Sequence, residues 1–278
     1  KVHTPFSLIR VTDKNPKRII MVGDENQLPP IGLGKPFHDT ISHVLADPDL
    51  TDRHYINLKS NCRQENDPKI LAIADAFTDK RRYYEEALEL VNGTGWVSKG
   101  LFIERWSDAK TLNNAIEKAM TDLFEKEDVF KKEDDPVDIG NVVGLNRLFG
   151  LYDNGNVNNQ GYAFREHLKL ESFQLLTPYR SGYYGTLGLN KFLQANYRDK
   201  PSRSSEHSHF YHADKIIRLN NWYRGWGENR RLALSNGSIG ICKGDDKRRS
   251  YYFKELERPF DYVGDEEDYD LAYAISVH

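Results

Sequence analysis

Residues 18–39 read RIIMVGDENQLPPIGLGKPFHD, and their reading sets the expectation for the rest of the chain. Four consecutive apolar residues, Ile19 to Val22, predict a short buried strand. Gly23-Asp24 ends it as a turn signal, and a polar loop follows. Pro29-Pro30 then fixes extended backbone and removes two donors, so the loop leaves the strand tip stiffly. Ligands of open α/β sheets gather at the carboxyl ends of strands. Gln27 is expected at such an end, with an amide that can both donate and accept.

Gly-Asp and Pro-Pro are each common turn elements and singly say no more than strand and turn. As one run, GDENQLPPIGLGKPF resembles motif III of superfamily 1 helicases, most closely the RecD-like branch. The pattern there is Gly-Asp-x-x-Gln-Leu-Pro-Pro-x-Gly-x-Gly-x-Pro-Phe. This resemblance implies that Gln27 senses the γ-phosphate of ATP and couples it to DNA held nearby. Gly23 and Asp24 are implied beside the nucleotide and Pro29 beside the DNA.

Downstream, Pro36 suits a first helical turn, and Phe37, Ile41, Val44 and Leu45 recur at helical spacing until Pro48. Tyr55 to Leu58 alternates as a strand would, and a helix is expected over about Pro68 to Phe77. Arg63 falls in the loop between them, where it can reach an anion or pair at the surface with Glu65 or Asp67. Asn61-Cys62-Arg63-Gln64 resembles the x-x-Arg-Gln element of helicase motif IV. That likeness implies an arginine finger on the γ-phosphate, a task suited to a planar, permanently charged fork.

Lys80 to Asn92 reads as polar helix and Leu101 to Ile103 as strand. Asp108 to Glu125 reads as helix, with Leu112, Ile116, Met120 and Leu123 on one face. The charge run FEKEDVFKKEDDP is a solvated helix end. The Asn- and Gly-rich stretch from Gly140 to Gln160 predicts a hairpin or loop, part of a polar insertion near 127–165.

Phe173 to Thr177 predicts a second buried strand, then a turn at Pro178 to Gly182, then a helix carrying Leu187, Leu189, Leu193 and Gln194. Thr177 and Arg180 suit a phosphate grip at the strand tip. Tyr179, Tyr183 and Tyr184 can stack on bases or serve as half-buried packing. The segment resembles the Leu-Thr-Pro-x-Arg-x-Gly…Leu-Asn-x-x-Leu-Gln stretch of RecD-like helicases.

From Ala213 the texture is β, and Asn236-Gly237 is a strong hairpin signal. This run resembles the small SH3-like barrel that RecD-like helicases insert into their second motor domain. Where they carry Gly-Asp-x-Val, Asn-Asn-Tyr and Phe-Asn-Gly, this chain has Ala213-Asp214, Asn221-Trp222 and Ser235-Asn236-Gly237. Asp265 to Asp270 is an acidic, solubilising loop. Leu271 to His278 is expected to return as a strand to the main sheet, and it resembles the opening of motif V with Ser276 in place of threonine. By the same resemblance Asn236, Ser276 and His278 join Thr177, Tyr179 and Arg180 at the DNA.

The 278 residues are 38% hydrophobic and 12% aromatic, enough for real cores, and the net charge of −3 confines any nucleic-acid track to a local groove. Cys62 and Cys242 stand far apart without CxxC spacing, which suggests neither a zinc site nor a disulfide framework and fits reduced thiols in the cytoplasm. His207, His209 and His212 lack the cysteine or carboxylate partners of a metal site. No apolar run approaches the ~18 residues that span a bilayer.

The expected fold class is therefore α/β: a RecA-like parallel sheet with flanking helices plus an inserted small SH3-like β-barrel. The end of a first RecA-like domain is expected over 1–50 and the second over 51–205. The barrel is expected over 206–265 and the return strand over 266–278. The whole reads as the C-terminal part of an ATP-dependent, 5′-to-3′ DNA helicase. ATP and Mg2+ are the implied cofactors. No GxxxxGK[ST] loop occurs, so the phosphate loop and magnesium ligands are expected in the rest of the helicase chain. Single-stranded DNA and a nuclease or repair protein are the implied partners. An RNA-directed helicase, or a catalytically degenerate helicase serving as a DNA-binding scaffold, are the alternative readings.

Overall fold

Proline sets the first helices, as its fixed φ and missing donor suit a first turn. The computed structural model describes residues 18–24, 34–58, 68–76, 84–98, 100–129, 140–156, 168–200, 209–245, 248–256 and 266–276. The chain divides into two units, Lys1–Glu104 and Arg105–His278.

In the first unit, α1 (Pro36–Leu45) is followed by α2 (Pro48–His54). The Asp47 carboxylate caps α2 by accepting from the Asp49 and Leu50 amides at 2.9 and 3.4 Å, an interaction that contributes about 1 kcal/mol. Helices α3 (Pro68–Ala76) and α4 (Tyr84–Asn92) pack together, burying Ala72, Ala76 and Ala87. Strands β1 (Gly95–Ser98) and β2 (Leu101–Ile103) pair antiparallel, with Trp96 edge-on to Phe102 at 5.1 Å. Lys69 Nζ donates to the Val97 carbonyl at 2.8 Å and ties α3 to that hairpin.

Two expected strands do not form. Ile19–Val22 and Tyr55–Leu58 have no regular structure, and Val22 and Ile56 are 92% and 89% exposed. A strand is held by its ladder and by cover over its apolar face. Among the described residues neither segment has either.

In the second unit, Asp108 and Thr111 form a reciprocal capping box at the start of α5 (Ala109–Lys126). The helix buries Ile116, Met120 and Phe124. The expected loop from Gly140 is instead α6 (Gly140–Leu148) as far as Leu148, and it supplies Leu145, Leu148 and Phe149 to the main core. Gly144 explains the close packing: a Cβ there would meet the Phe124 ring at 2.8 Å. Arg147 then clamps the following turn, donating from Nε and Nη2 to the two Asp153 oxygens at 2.7 and 2.8 Å.

Strand β3 (Leu175–Leu176) leads to α7 (Thr186–Tyr197), whose Leu189, Leu193 and Tyr197 are buried in the same core. The remaining strands are β4 (Asp214–Arg218), β5 (Trp222–Arg224), β6 (Arg231–Leu234), β7 (Ile239–Asp245), β8 (Arg248–Phe253), β9 (Tyr269–Leu271) and β10 (Ala274–Ile275). An antiparallel sheet runs β8–β7–β4–β9, β5 and β6 form their own ribbon, and β3 pairs β10 in parallel. No barrel closes among the described residues. Phe210, Ile216, Leu234, Cys242, Tyr251, Phe253, Leu256 and Tyr269 form a second core.

Asn236-Gly237 proves to be a corner rather than a hairpin. The Ser238 amide donates to Ser235 O at 3.1 Å across the turn, but β6 pairs with β5 and β7 pairs with β4. Gly237 has φ +91° while Asn236 stays at negative φ. One left-handed residue makes a type II turn, whereas the tight hairpin turn needs two. Ala213, standing where the resembled family carries glycine, has φ +64°, a left-handed conformation that costs a non-glycine residue about 1–2 kcal/mol.

Candidate nucleic-acid interface

The parallel pair β3–β10 ends at one edge. Leu175 N–H donates to Tyr273 O at 2.9 Å and Thr177 N–H to Ile275 O at 3.1 Å, so Thr177 and Ser276 leave the sheet side by side. Thr177 is buried and its hydroxyl is already committed. It accepts from the Tyr179 amide at 3.3 Å and donates to the Tyr184 carbonyl at 2.9 Å, folding the 177–184 loop back on itself. A hydroxyl has one proton to give, and Thr177 gives it to the loop, which it positions.

The loop it shapes carries the exposed groups. Arg180 is exposed and makes no side-chain bond among the described residues. Its backbone carbonyl accepts from Leu187 N–H at the start of α7, which fixes where the guanidinium begins. Tyr179 is 58% exposed and lies edge-on to Tyr184 at 5.1 Å. Tyr183 meets Tyr184 at 5.0 Å. Trp106 completes the cluster, stacked on Tyr184 at 6.0 Å and edge-on to Tyr183 at 5.9 Å. Sequence reading missed Trp106, since no local periodicity links a residue before α5 to a loop before α7. An exposed aromatic shelf with an exposed cation at a strand tip can stack bases and hold a phosphate.

Behind this edge lies a braid of buried polar side chains that holds β10 in place. Asn190 on α7 donates to Leu271 O and Ala274 O at 3.0 and 2.9 Å and accepts from Ala274 N–H at 2.8 Å. Gln174 donates to Leu175 O, Ala272 O and Tyr273 O, and accepts from Lys215 Nζ at 2.8 Å. Tyr273 donates its hydroxyl proton to Asp214 at 2.6 Å and accepts from Arg198 Nε at 2.8 Å. Gln194 and the Tyr211 amide donate to the other Asp214 oxygen. Arg198 also reaches Asn146 at 2.6 Å, and its Nη2 has no partner among the described residues.

Burial pushes the Asp214 carboxyl up to about 6, against the pull of Arg198 and three hydrogen bonds. Burial likewise brings Lys215 down to about 8 and raises the Tyr273 hydroxyl well above its ordinary value. Neutral forms are favoured because the core solvates charge poorly. Of the Leu-Asn-x-x-Leu-Gln residues, Asn190 clamps α7 to the returning strand, and Gln194 clamps it to Asp214 and to the His209 carbonyl.

Other expected site residues fall elsewhere. Gly23 and Asp24 lie in exposed, irregular backbone of the first unit. Asn236 is held through its amide by Asn221 Oδ1 at 2.7 Å and lines a cleft with Leu170, Glu171 and Lys254, at the other end of β3 from Thr177. Gln27, Pro29, Arg63 and His278 lie outside the described residues. No described helix is long and apolar enough to cross a membrane.

No protein-family profile matches the chain. It is 25% identical over 292 residues to an uncharacterized protein, MJ1519, of Methanocaldococcus jannaschii. The alignment covers 95% of this chain and 23% of that protein, so the chain spans about a quarter of its relative's length.

Proposed function

We propose that the chain forms the C-terminal motor portion of a cytoplasmic, ATP-dependent DNA helicase of the RecD-like kind, moving 5′ to 3′ on single-stranded DNA. The observation that carries this reading is the parallel pairing of β3 with β10. The two segments that most resemble helicase elements after residue 170 are neighbours in one sheet, and their carboxyl ends open onto Arg180 and the aromatic shelf. Carboxyl edges of parallel strands are where α/β proteins place their ligands. The sheet of this reading is RecA-like and extends beyond the described pair. The β4–β9 region corresponds to the inserted barrel, left open in the described residues.

In this account Mg-ATP binds between the motor domains. Gln27 reports the γ-phosphate to the DNA track, and Arg63 reaches that phosphate when the domains close. The phosphate loop and magnesium ligands belong to the remainder of the protein. The experiment is ATP turnover by the intact protein with and without single-stranded DNA, together with unwinding of duplexes bearing 5′ or 3′ tails. DNA-stimulated turnover and unwinding from the 5′ tail are expected. Stimulation by RNA alone would move the assignment to an RNA-directed helicase, and binding without turnover to a scaffold.

A further inference from the structure

The ribbon β5–β6 has a construction that the strand-tip site does not explain. Its sequence, NWYRGWGENRRLAL over 221–234, holds three arginines and one acid. Trp226 sits at the tip between two glycines of positive φ, Gly225 at +87° and Gly227 at +58°. A Cβ on Gly225 would meet Asn229 O at 2.4 Å, so the turn is closed too tightly for any other residue. The result is an indole 92% exposed on a fixed turn. Solvent-facing tryptophan has no folding benefit that would select such a turn.

The groups beside it are ordered as well. Arg230 lies over the Tyr223 ring at 4.5 Å. Arg224 and Arg231 face each other across the ribbon. Trp222, Tyr223, Arg224, Trp226 and Arg230 line an open cleft of about 580 Å³. The base of the ribbon is anchored: Asn236 N–H donates to Asn221 Oδ1, Gly237 N–H to Arg218 O at 2.8 Å, and Arg218 Nη1 to Tyr269 at 2.7 Å.

We infer that the β5–β6 ribbon is a second single-stranded nucleic-acid contact, with a base stacked on Trp226 and the adjoining phosphates held by Arg224, Arg230 and Arg231. Alternation of flat faces and fixed cations matches a strand whose bases and phosphates alternate, and it is tolerant of sequence because every base has a π-face. The inference stands on the ribbon's own residues and requires neither ATP turnover nor the Arg180 edge.

The test is fluorescence anisotropy of a short labelled oligothymidine titrated with the full chain, over a range of salt. Trp226→Ala should weaken binding about tenfold, as loss of one stacked base does. Trp226→Phe should restore most of it, and thermal melts should coincide for all three, because the side chain is exposed. Arg231→Ala should lower the salt slope by about one. Arg180→Ala, measured in parallel, separates the two sites: weakening by Trp226→Ala with no effect of Arg180→Ala leaves the ribbon contact standing alone. Equal affinity of Trp226→Ala and the parent at every salt concentration would overturn the inference, as would no binding by the parent chain.

Discussion

Thr177 N–H donates to the Ile275 carbonyl at 3.1 Å, joining two segments far apart in sequence at a common edge. The loop after Thr177 carries the aromatic shelf. The edge is thus only as well ordered as the Thr177 hydroxyl, which bridges Tyr179 and Tyr184.

Thr177→Val keeps the shape and removes both bonds. The half-buried Tyr184 carbonyl loses its donor, at a cost of up to about 1–3 kcal/mol, so the melting temperature should fall. DNA affinity should weaken through disorder of the shelf, and Thr177→Ser should recover most of both. Full DNA affinity in a folded Thr177→Val chain would show that the loop does not depend on this bridge.

Arg198 stands among Asp214, Tyr273 and Asn146 with its side chain fully buried. Arg198→Ala leaves Tyr273 Oη and Asn146 Oδ1 without their donor and Asp214 without its cation, and should destabilise the protein by about 3–5 kcal/mol in chemical denaturation. Asp214→Asn combined with Arg198→Met should recover part of that loss. Equal stability of Arg198→Ala and the parent would mean that the braid is not energetically coupled.

The same braid sets a pH dependence. The folded state raises Asp214 to about 6 from an ordinary 3.8, so it holds the proton more tightly than the unfolded chain. The stabilisation is complete below about pH 4 and is lost as pH rises through about 6. His212, lowered chiefly by burial, acts in the opposite sense over part of this window, gaining stability as pH rises. The measurement is therefore the difference in melting temperature between Asp214→Asn and the parent, which should shift in the variant's favour from pH 4 to 7. Lys215, brought down to about 8 from 10.5, adds stability as pH rises between those values, and Lys215→Met should abolish that rise. Parallel melting curves for parent and variant would refute either assignment.

How far the sequence carried the fold depends on how local each signal was. Helices α1, α5 and α7 were legible because apolar residues recur at helical spacing and Pro36 or Asp108 marks the start. Helix α6 was misread as loop because its Asn and Gly content masked Val142, Leu145 and Leu148, which do keep the period. Asn236-Gly237 gave a turn correctly, but only the partner strands decide whether a turn closes a hairpin or rounds a corner. The four apolar residues at Ile19 looked like a strand, yet hydrophobicity alone supplies no ladder. At the candidate interface, Tyr179 and Arg180 were visible as residue types at a strand tip. Trp106, and the links from Arg198 to Tyr273 and from Gln194 to Asp214, depend on contacts between distant segments that no periodicity encodes.

Gln27 and Arg63 should separate in kinetics if the motor account holds. Gln27→Ala in the intact protein should retain basal ATP turnover while losing its stimulation by DNA, since a sensor transmits the γ-phosphate rather than stabilising its transfer. A proportional loss of basal and stimulated turnover would place Gln27 in the chemistry instead.

The most direct measurement is DNA-stimulated ATP turnover by the intact protein carrying Arg63→Ala or Arg63→Lys, with folding checked by thermal melt. A finger acts mainly in the transition state, so kcat should fall about 10³-fold or more while nucleotide affinity changes little. Lysine should rescue poorly because the planar fork is lost. Normal turnover by a folded Arg63→Ala protein would contradict the account, leaving Arg63 as a surface partner of Glu65 or Asp67.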